Sequence, residues 1–285
     1  MRAALATLLV AASGMLAAAD FPYDVPYVPT PPPVVDELLR LADVKADDYV
    51  MDLGCGDGRI VIAAAKKFGA RGLGIDLDED LLVEARANAE AAGVTDKVSF
   101  ARQDLFKTDL SPATVITMYL LPSVNRRLKP ELLKLKPGTR IVSHDFDLED
   151  WQPDAKSTIR KNAFLWIVPA PVAGVWRITT EAGPNLPAHS YEVEVRQKYQ
   201  EIDGHVRGQR VSAGLWQPRL EGDKIAFVIV DSQNRIGESA PAGSPPEASL
   251  YFDGRVEGDA MAGIVRRDVG NARTAARWRA ERVKS

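Results

Sequence analysis

At 285 residues the chain exceeds the roughly 100 to 200 residues of one ordinary domain, so two cores are expected. Its 36 basic and 39 acidic side chains leave a net charge of −3, which argues against a global field drawing it to nucleic acid, and no nucleic-acid partner is expected. The single cysteine, Cys55, excludes an internal disulfide, and no Cys/His cluster has zinc-site spacing, so no metal is expected.

Residues 3 to 18 form an uncharged segment, preceded by Arg2 and closed by Ala17, Ala18 and Ala19 before Asp20. That order reads as a secretory signal peptide cleaved after Ala19, which places the protein in the periplasm. Translation from Met15, with a cytoplasmic location, is the alternative. The apolar run is shorter than the 20 or so residues that a membrane-spanning helix needs, so no span is expected after cleavage.

After the Pro-rich stretch Pro22 to Pro33, the apolar residues Val34, Val35, Leu38, Leu39, Leu41 and Ala42 predict a helix over 33–42 with Pro33 in its first turn. Predicted strands at 49–53, 71–76, 98–103, 113–119 and 139–144 then alternate with helices at 58–68, 79–92 and 123–135. Such alternation implies right-handed crossovers and a mostly parallel sheet with helices on both faces. Segments 157–160 and 164–168, around Lys161-Asn162, read as a hairpin that completes seven strands. Beyond Pro171 the pattern shifts to short strands at 174–180, 189–198, 203–213, 224–231, 248–255, 260–267 and 274–283, the mark of a small barrel or sandwich. Two Gly-Asp pairs, Gly222-Asp223 and Gly258-Asp259, sit between apolar strands as tight turns do, and 237–247 reads as a loop. The organisation expected is therefore an α/β, Rossmann-like domain over 20–170 followed by an all-β module over 171–285.

The informative stretch is Val50-Met51-Asp52-Leu53-Gly54-Cys55-Gly56-Asp57-Gly58-Arg59, where an apolar strand runs into closely spaced glycines and then a helix. Glycine permits a sharp turn and lets a ligand approach the backbone. In an open α/β sheet, ligands bind beyond the carboxyl ends of the strands. A dinucleotide fingerprint would need glycine at position 59, where Arg59 stands.

Asp52, Gly54, Gly56 and Gly58 resemble the first motif of the class I, seven-strand methyltransferases. The resemblance implies S-adenosylmethionine as cofactor, its amino-acid end held at the glycine loop and its ribose hydroxyls at an acidic residue ending the second strand. Asp76 occupies that place, and two carboxylate oxygens suit a vicinal diol. Gln103 and Asp104 fall where the family places a polar residue near the adenine. Cys55 and Asp57, inside the loop, are candidate contacts, with a packing thiol and a helix cap as their plainer readings.

A narrower resemblance covers 23–169: Tyr27-Val28-Pro29-Thr30-Pro31, Asp52 to Ala64 and Gln103-Asp104-Leu105-Phe106 look like the compact protein-lysine methyltransferases whose relatives modify the c-ring protein of ATP synthase. It implies that the segment before the first helix closes over the cofactor, making Tyr27 and Thr30 candidate contacts; a rigid proline-rich arm packed on the sheet is the alternative. The chain departs from many amino-group methyltransferases at Met118-Tyr119-Leu120-Leu121-Pro122, which leaves the methyl acceptor open: a protein lysine, a small molecule, or none in an exported binding protein. A cofactor made in the cytoplasm would also have to reach an exported enzyme.

Tyr119, His144 and Asp145 are the candidate catalytic residues. Tyr119 ends the fourth strand, where an aromatic face favours a cation, with a core tyrosine as its plainer reading; His144 and Asp145 follow the fifth as a candidate base or substrate contact, with a satisfied edge-of-sheet cluster fixing the chain before Trp151 as theirs. The basic stretch Arg126, Arg127, Lys129, Lys134 and Lys136 reads as a solvated helix face or a docking face for an acidic partner. Gly174-Val175-Trp176 and Trp278 to Arg282 loosely resemble small lipocalin-like domains, with Trp176 and Trp278 as core anchors and the module as a possible docking surface. Export predicts that the protein from its native host begins at Asp20, which an intact-mass measurement checks; a retained Met1 overturns it.

Overall fold

The computed structural model describes residues 26–157, 163–183, 186, 188–207, 214–230, 249–269 and 272–284. The expected signal peptide, the hairpin tip around Lys161-Asn162, the loop at 237–247 and the end of the strand expected over 203–213 lie outside the described residues.

The first sheet holds β1 (Tyr49–Leu53), β2 (Arg71–Asp76), β3 (Val98–Arg102), β4 (Val115–Met118), β5 (Arg140–His144), β6 (Ala155–Ser157) and β7 (Ala163–Ile167), in the order β3-β2-β1-β4-β5-β7-β6. β1 to β5 run parallel, while β7 pairs antiparallel with both β5 and β6. All four residues of β4 are buried, as expected of a strand covered on both faces. Val50 joins the cluster formed by α1 (Pro32–Leu41) and α2 (Arg59–Phe68), whereas its neighbours Met51 and Leu53 join the one formed by α4 (Pro122–Leu132). Alternation along β1 thus welds two layers to one sheet. α3 (Glu79–Ala92) starts at Asp78, whose carboxylate accepts from the N–H of Asp80 and Leu81, and stops at the left-handed Gly93. Strand order reverses between β1 and β4, the place where an open sheet leaves a crevice at its carboxyl edge.

The second sheet is antiparallel and contains β8 (Gly174–Thr180), β9 (His189–Lys198), β10 (Glu201–Arg207), β11 (Trp216–Glu221), β12 (Lys224–Val230), β13 (Ser249–Glu257), β14 (Ala260–Val269) and β15 (Ala272–Arg282). Chain neighbours pair from β8 to β10 and from β11 to β15, β15 returns to β8, and among the described residues a bridge between His205 and Gly214 links the β10 edge to the β11 edge. The result is an eight-stranded up-and-down barrel, one strand more than the seven expected. The strand that the pattern concealed is β11: Pro218 has no N–H to give a ladder, and the register with β12 shifts between Trp216 and Arg219. Both Gly-Asp turns are present, led by Gly222 at φ 59° and Gly258 at φ 60°.

Rings fill the barrel interior. Trp176, Trp278 and Phe252 are fully buried, Phe227 stacks on Phe252 at 4.8 Å, and both phenylalanines meet the edge of Trp278. The indole of Trp278 fits because Gly254 and Gly263 face each other in the ladder beside it; a Cβ on Gly254 would stand 2.5 Å from the ring and from the Ala262 carbonyl oxygen. Replacing Gly254 with alanine is expected to cost about 1 to 3 kcal/mol of stability, the usual range for overpacking, read by urea denaturation of the full chain.

Candidate active site

At the carboxyl end of β1 the chain turns through Gly54, Gly56 and Gly58, with φ of 75°, 51° and 77°, a run that side-chain-bearing residues would resist. The N–H groups of Gly54 and Cys55 both donate to the Ile75 carbonyl (2.9 Å each), and that of Gly56 donates to Oδ2 of Asp76 (2.9 Å). Oδ1 of Asp76 accepts from the N–H of Leu77 (2.8 Å) and Asp78 (3.1 Å). Three of about four acceptor directions on that carboxylate are therefore taken by the protein's own backbone, and about one stays open to a ligand hydroxyl.

Asp52 lies below the loop, buried, with Oδ1 accepting from the Thr117 hydroxyl at 2.6 Å. Burial, with the nearby Asp76 and Asp57 charges, pushes its carboxyl up to about 7 against the pull of the Thr117 bond. Burial likewise pushes the Cys55 thiol up, and its sulfur packs against Gly74, so it is a core residue that also edges the crevice. Asp57 moves the other way: burial opposes ionisation, yet the Arg59 guanidinium, donating at 2.9 Å to Oδ1 and 2.6 Å to Oδ2, holds it below the usual carboxylate range.

Arg59 also fastens the segment that precedes α1. Its Nη1 donates to the Thr30 carbonyl (2.8 Å), and the Tyr27 ring lies so close over Gly56 that a Cβ there would stand 2.2 Å from it. The proline-rich arm is thus strapped across the glycine loop. Arg59 was visible in the sequence only as a missing glycine; its place two residues after Asp57 was the signal available.

Arm, loop and the ends of β2 to β4 enclose a crevice with about 1000 Å³ of space between protein atoms, part of it continuous with solvent. Among the sequence-derived candidates, Tyr27, Thr30, Asp52, Gly54, Cys55, Asp57, Asp76, Gln103, Asp104 and Tyr119 line it, and Leu77 and Phe106 join them without having been foreseen. Gly56 does not line it, because Tyr27 covers it, and Gly58 does not, because it abuts the Phe100 ring and Ala85. Those two glycines shape the turn.

His144 and Asp145 also stand outside the lining, yet they are gathered around Tyr119, which is in it. The His144 ring packs on that of Tyr119 at 4.0 Å and is wholly buried, with Nδ1 3.3 Å from the Thr30 hydroxyl. The Tyr119 hydroxyl donates to Asp145 at 3.4 Å, and Phe146 stacks on the same ring at 6.1 Å. Burial and the Asp145 carboxylate raise the Tyr119 phenol above its ordinary value. His144 thus stands behind Tyr119, outside the crevice lining. Along the basic stretch, Arg126 pairs with Glu149, Lys129 with Asp150 and Lys134 with Glu131, while Arg127 lies over the Phe106 ring. Much of that charge is spent within the protein.

A methyl donor built of an amino acid and a nucleoside suits this crevice: Asp76 keeps an acceptor site, and Gly54 presents no side chain to it. Comparison with known proteins agrees. Residues 52–155 match the ANTKMT methyltransferase domain, and a protein-lysine N-methyltransferase of Saccharolobus islandicus is 52% identical over 131 residues, which is 45% of this chain and 81% of that protein.

The chain belongs to the ANTKMT methyltransferase family.

The adenine nucleotide translocase lysine N-methyltransferase of Mus musculus is 38% identical over 132 residues, or 46% of this chain, and the mouse lysine N-methyltransferase for the c-ring protein of ATP synthase is 33% identical over 131. The chain spans about half the length of these mouse relatives, 57% and 52%. A solved RNA methyltransferase of Salinibacter ruber, in complex with S-adenosyl-L-homocysteine, is 54% identical with a TM-score of 0.50, covering 51% of this chain and 96% of that one. The Rossmann-like fold and the resemblance read from Asp52 to Asp104 are those of this family.

The raised Asp52 carboxyl gives this methyltransferase a pH signature. A carboxyl whose folded pKa exceeds its unfolded one adds stability at low pH and loses it as pH rises through the folded value, here about 7. Asp52→Asn, which keeps the Thr117 bond without the charge, is expected to gain in melting temperature over the wild type as pH rises from about 4 to about 7 and to hold that gain above 7, scanned calorimetrically about half a unit at a time.

Proposed function

We propose that this methyltransferase binds S-adenosylmethionine in the crevice and transfers its methyl group to the amine of a protein lysine. The observation that carries the reading is the joining of two features at one edge of the sheet. One is the crevice edged by Asp76 and the glycine loop; the other is an aromatic face with a carboxylate, Tyr119 beside Asp145, on its far side.

S-Adenosylmethionine, when bound, supplies an electrophilic methyl group, and the protein binds, orients and desolvates. Asp76, Gln103 and Asp104 would hold the nucleoside, and Gly54 with Asp52 the amino-acid end. Tyr27, strapped over the loop through the arm, excludes water from that end. A lysine side chain arrives as an ammonium, with an ordinary pKa of about 10.4, and must lose a proton before it can attack. The Tyr119 ring favours the cation, Asp145 behind it holds the phenol in place, and a proton leaves toward the open side of the crevice. Because burial and Asp145 raise the Tyr119 phenol, it stays neutral and keeps its hydroxyl directed at Asp145.

The names of the Saccharolobus and mouse relatives favour a protein lysine over a small molecule or a binding protein without chemistry. The Salinibacter relative, described as an RNA methyltransferase, makes RNA the second acceptor to test. Titration calorimetry is expected to show S-adenosylmethionine binding at micromolar concentration, weakened by Asp76→Ala about 10- to 100-fold, the worth of a charged hydrogen bond. With labelled cofactor and a host extract divided into protein, RNA and low-mass fractions, label is expected on lysine, identified by peptide mass spectrometry. Absence of cofactor binding, or label confined to RNA or small molecules, overturns the proposal.

A further inference from the structure

We propose that the barrel positions the acceptor side of the crevice, through the β9–β10 turn that carries Tyr199 and Gln200. The inference rests on the reading of Tyr119 and Asp145 as the acceptor rim.

After His144 the chain takes an irregular path to β6, and two residues on it, Asp145 and Glu149, hold φ of 61° and 62° although neither is glycine. Such conformations persist only where the surroundings enforce them. Within the methyltransferase body, the Ser143 hydroxyl donates to the Phe146 carbonyl (2.6 Å), Asn125 donates to the Asp147 carbonyl (3.2 Å), and Lys129 reaches Asp150 (2.7 Å).

Arg126 pairs with Glu149 (2.6 Å), and the barrel adds to this enforcement. Gln200 accepts a hydrogen bond from the Trp151 indole N–H (2.9 Å) and donates to the Gln152 carbonyl (2.6 Å). Tyr199 stacks on Trp151 with ring centroids 5.7 Å apart, and its hydroxyl donates to the Asp150 carboxylate at 3.0 Å. The Lys198 ammonium stands 3.4 Å from the same Asp150 carboxylate. The turn is itself stiffened: Tyr199 has φ of 57°, and Gln197 beneath it donates to the Tyr199 and Ala170 carbonyls while accepting from the N–H of Val172.

Trp151 is completely buried, and its carbonyl accepts from the indole of Trp166 in β7 (2.7 Å), so the gripped segment is anchored to the sheet as well. A continuous chain of contacts therefore leads from the barrel turn, through Trp151 and the segment before it, to Asp145 and Phe146 at Tyr119. The glycine loop and Asp76 lie outside this chain of contacts, and the arm meets its far end through Thr30 at His144. The grip accordingly bears on where the acceptor sits and leaves cofactor binding alone. The Salinibacter relative is matched over 96% of its length by 51% of this chain, which makes the barrel additional to what the two share. An addition that holds the acceptor-side segment serves acceptor selection.

Full-length Tyr199→Ala and Gln200→Ala, singly and together, test this, with Tyr199→Phe as the conservative partner that keeps the stacked ring. Amide hydrogen exchange over 145–152, with no substrate present, is expected to quicken about tenfold in the double variant. For the methylated lysine peptide, KM is expected to rise about tenfold with kcat within about twofold, while the calorimetric Kd for S-adenosylmethionine stays within about twofold. Tyr199→Phe is expected to recover most of the loss. Unchanged exchange over 145–152 overturns the proposal, and so does a cofactor Kd that weakens in step with the acceptor KM. The exchange measurement needs no turnover, so it judges the grip even if the wild type methylates no lysine, an outcome that would defeat the functional reading alone.

Discussion

The hydrogen bond from the Gly56 N–H to the Asp76 carboxylate joins the turn after β1 to the end of β2, and the rest of the site is arranged around it. A backbone able to make that bond must run through left-handed conformations at 54, 56 and 58, which is why glycine recurs at every second position. Once the turn is held, α2 starts against Phe100 and Ala85, and the ring of Tyr27 can lie on a position that carries no Cβ. The strap from Arg59 to Thr30 then closes one side of the crevice. Turn, helix start and arm are thus one mechanical unit.

Three carboxylates share this unit, and each meets the problem of charge near low dielectric differently. Asp57 has a bidentate guanidinium, Asp76 has three backbone N–H groups, and Asp52 has only the Thr117 hydroxyl to set against a burial that favours its neutral form. A floor so poor in compensating positive charge suits a ligand that brings its own. The ammonium and sulfonium of S-adenosylmethionine are such charges, and the proposed cofactor therefore complements the electrostatics as well as the shape.

The barrel meets the methyltransferase body through specific polar contacts. Besides the grip of Tyr199 and Gln200, the Ala170 N–H donates to the Gly222 carbonyl at 2.8 Å, and Gly222 sits so near Gly138 that a Cβ would stand 2.9 Å from its Cα. Gly222 also leads a tight turn between β11 and β12, so one residue serves both the barrel's closure and its docking. Two barrel turns, each with a left-handed residue at the point of contact, define how the modules meet.

What the sequence determined by itself was whatever short-range physics governs. Apolar periodicity and caps placed α3 at 79–92 and β2 at 71–76, and the spacing of Asp52, the glycines and Asp76 located the crevice, because strand, turn and helix are encoded within a few residues. The Gly-Asp turns were legible for the same reason. Tertiary structure alone decided the partnerships: Arg59 with Thr30, Thr30 with His144 at 114 residues' separation, and Trp151 with Gln200. It also revealed β11, whose proline and shifted register hide an alternating pattern, and it set His144 against the Tyr119 ring. Such contacts depend on the order in which strands assemble, and local periodicity carries no record of that order.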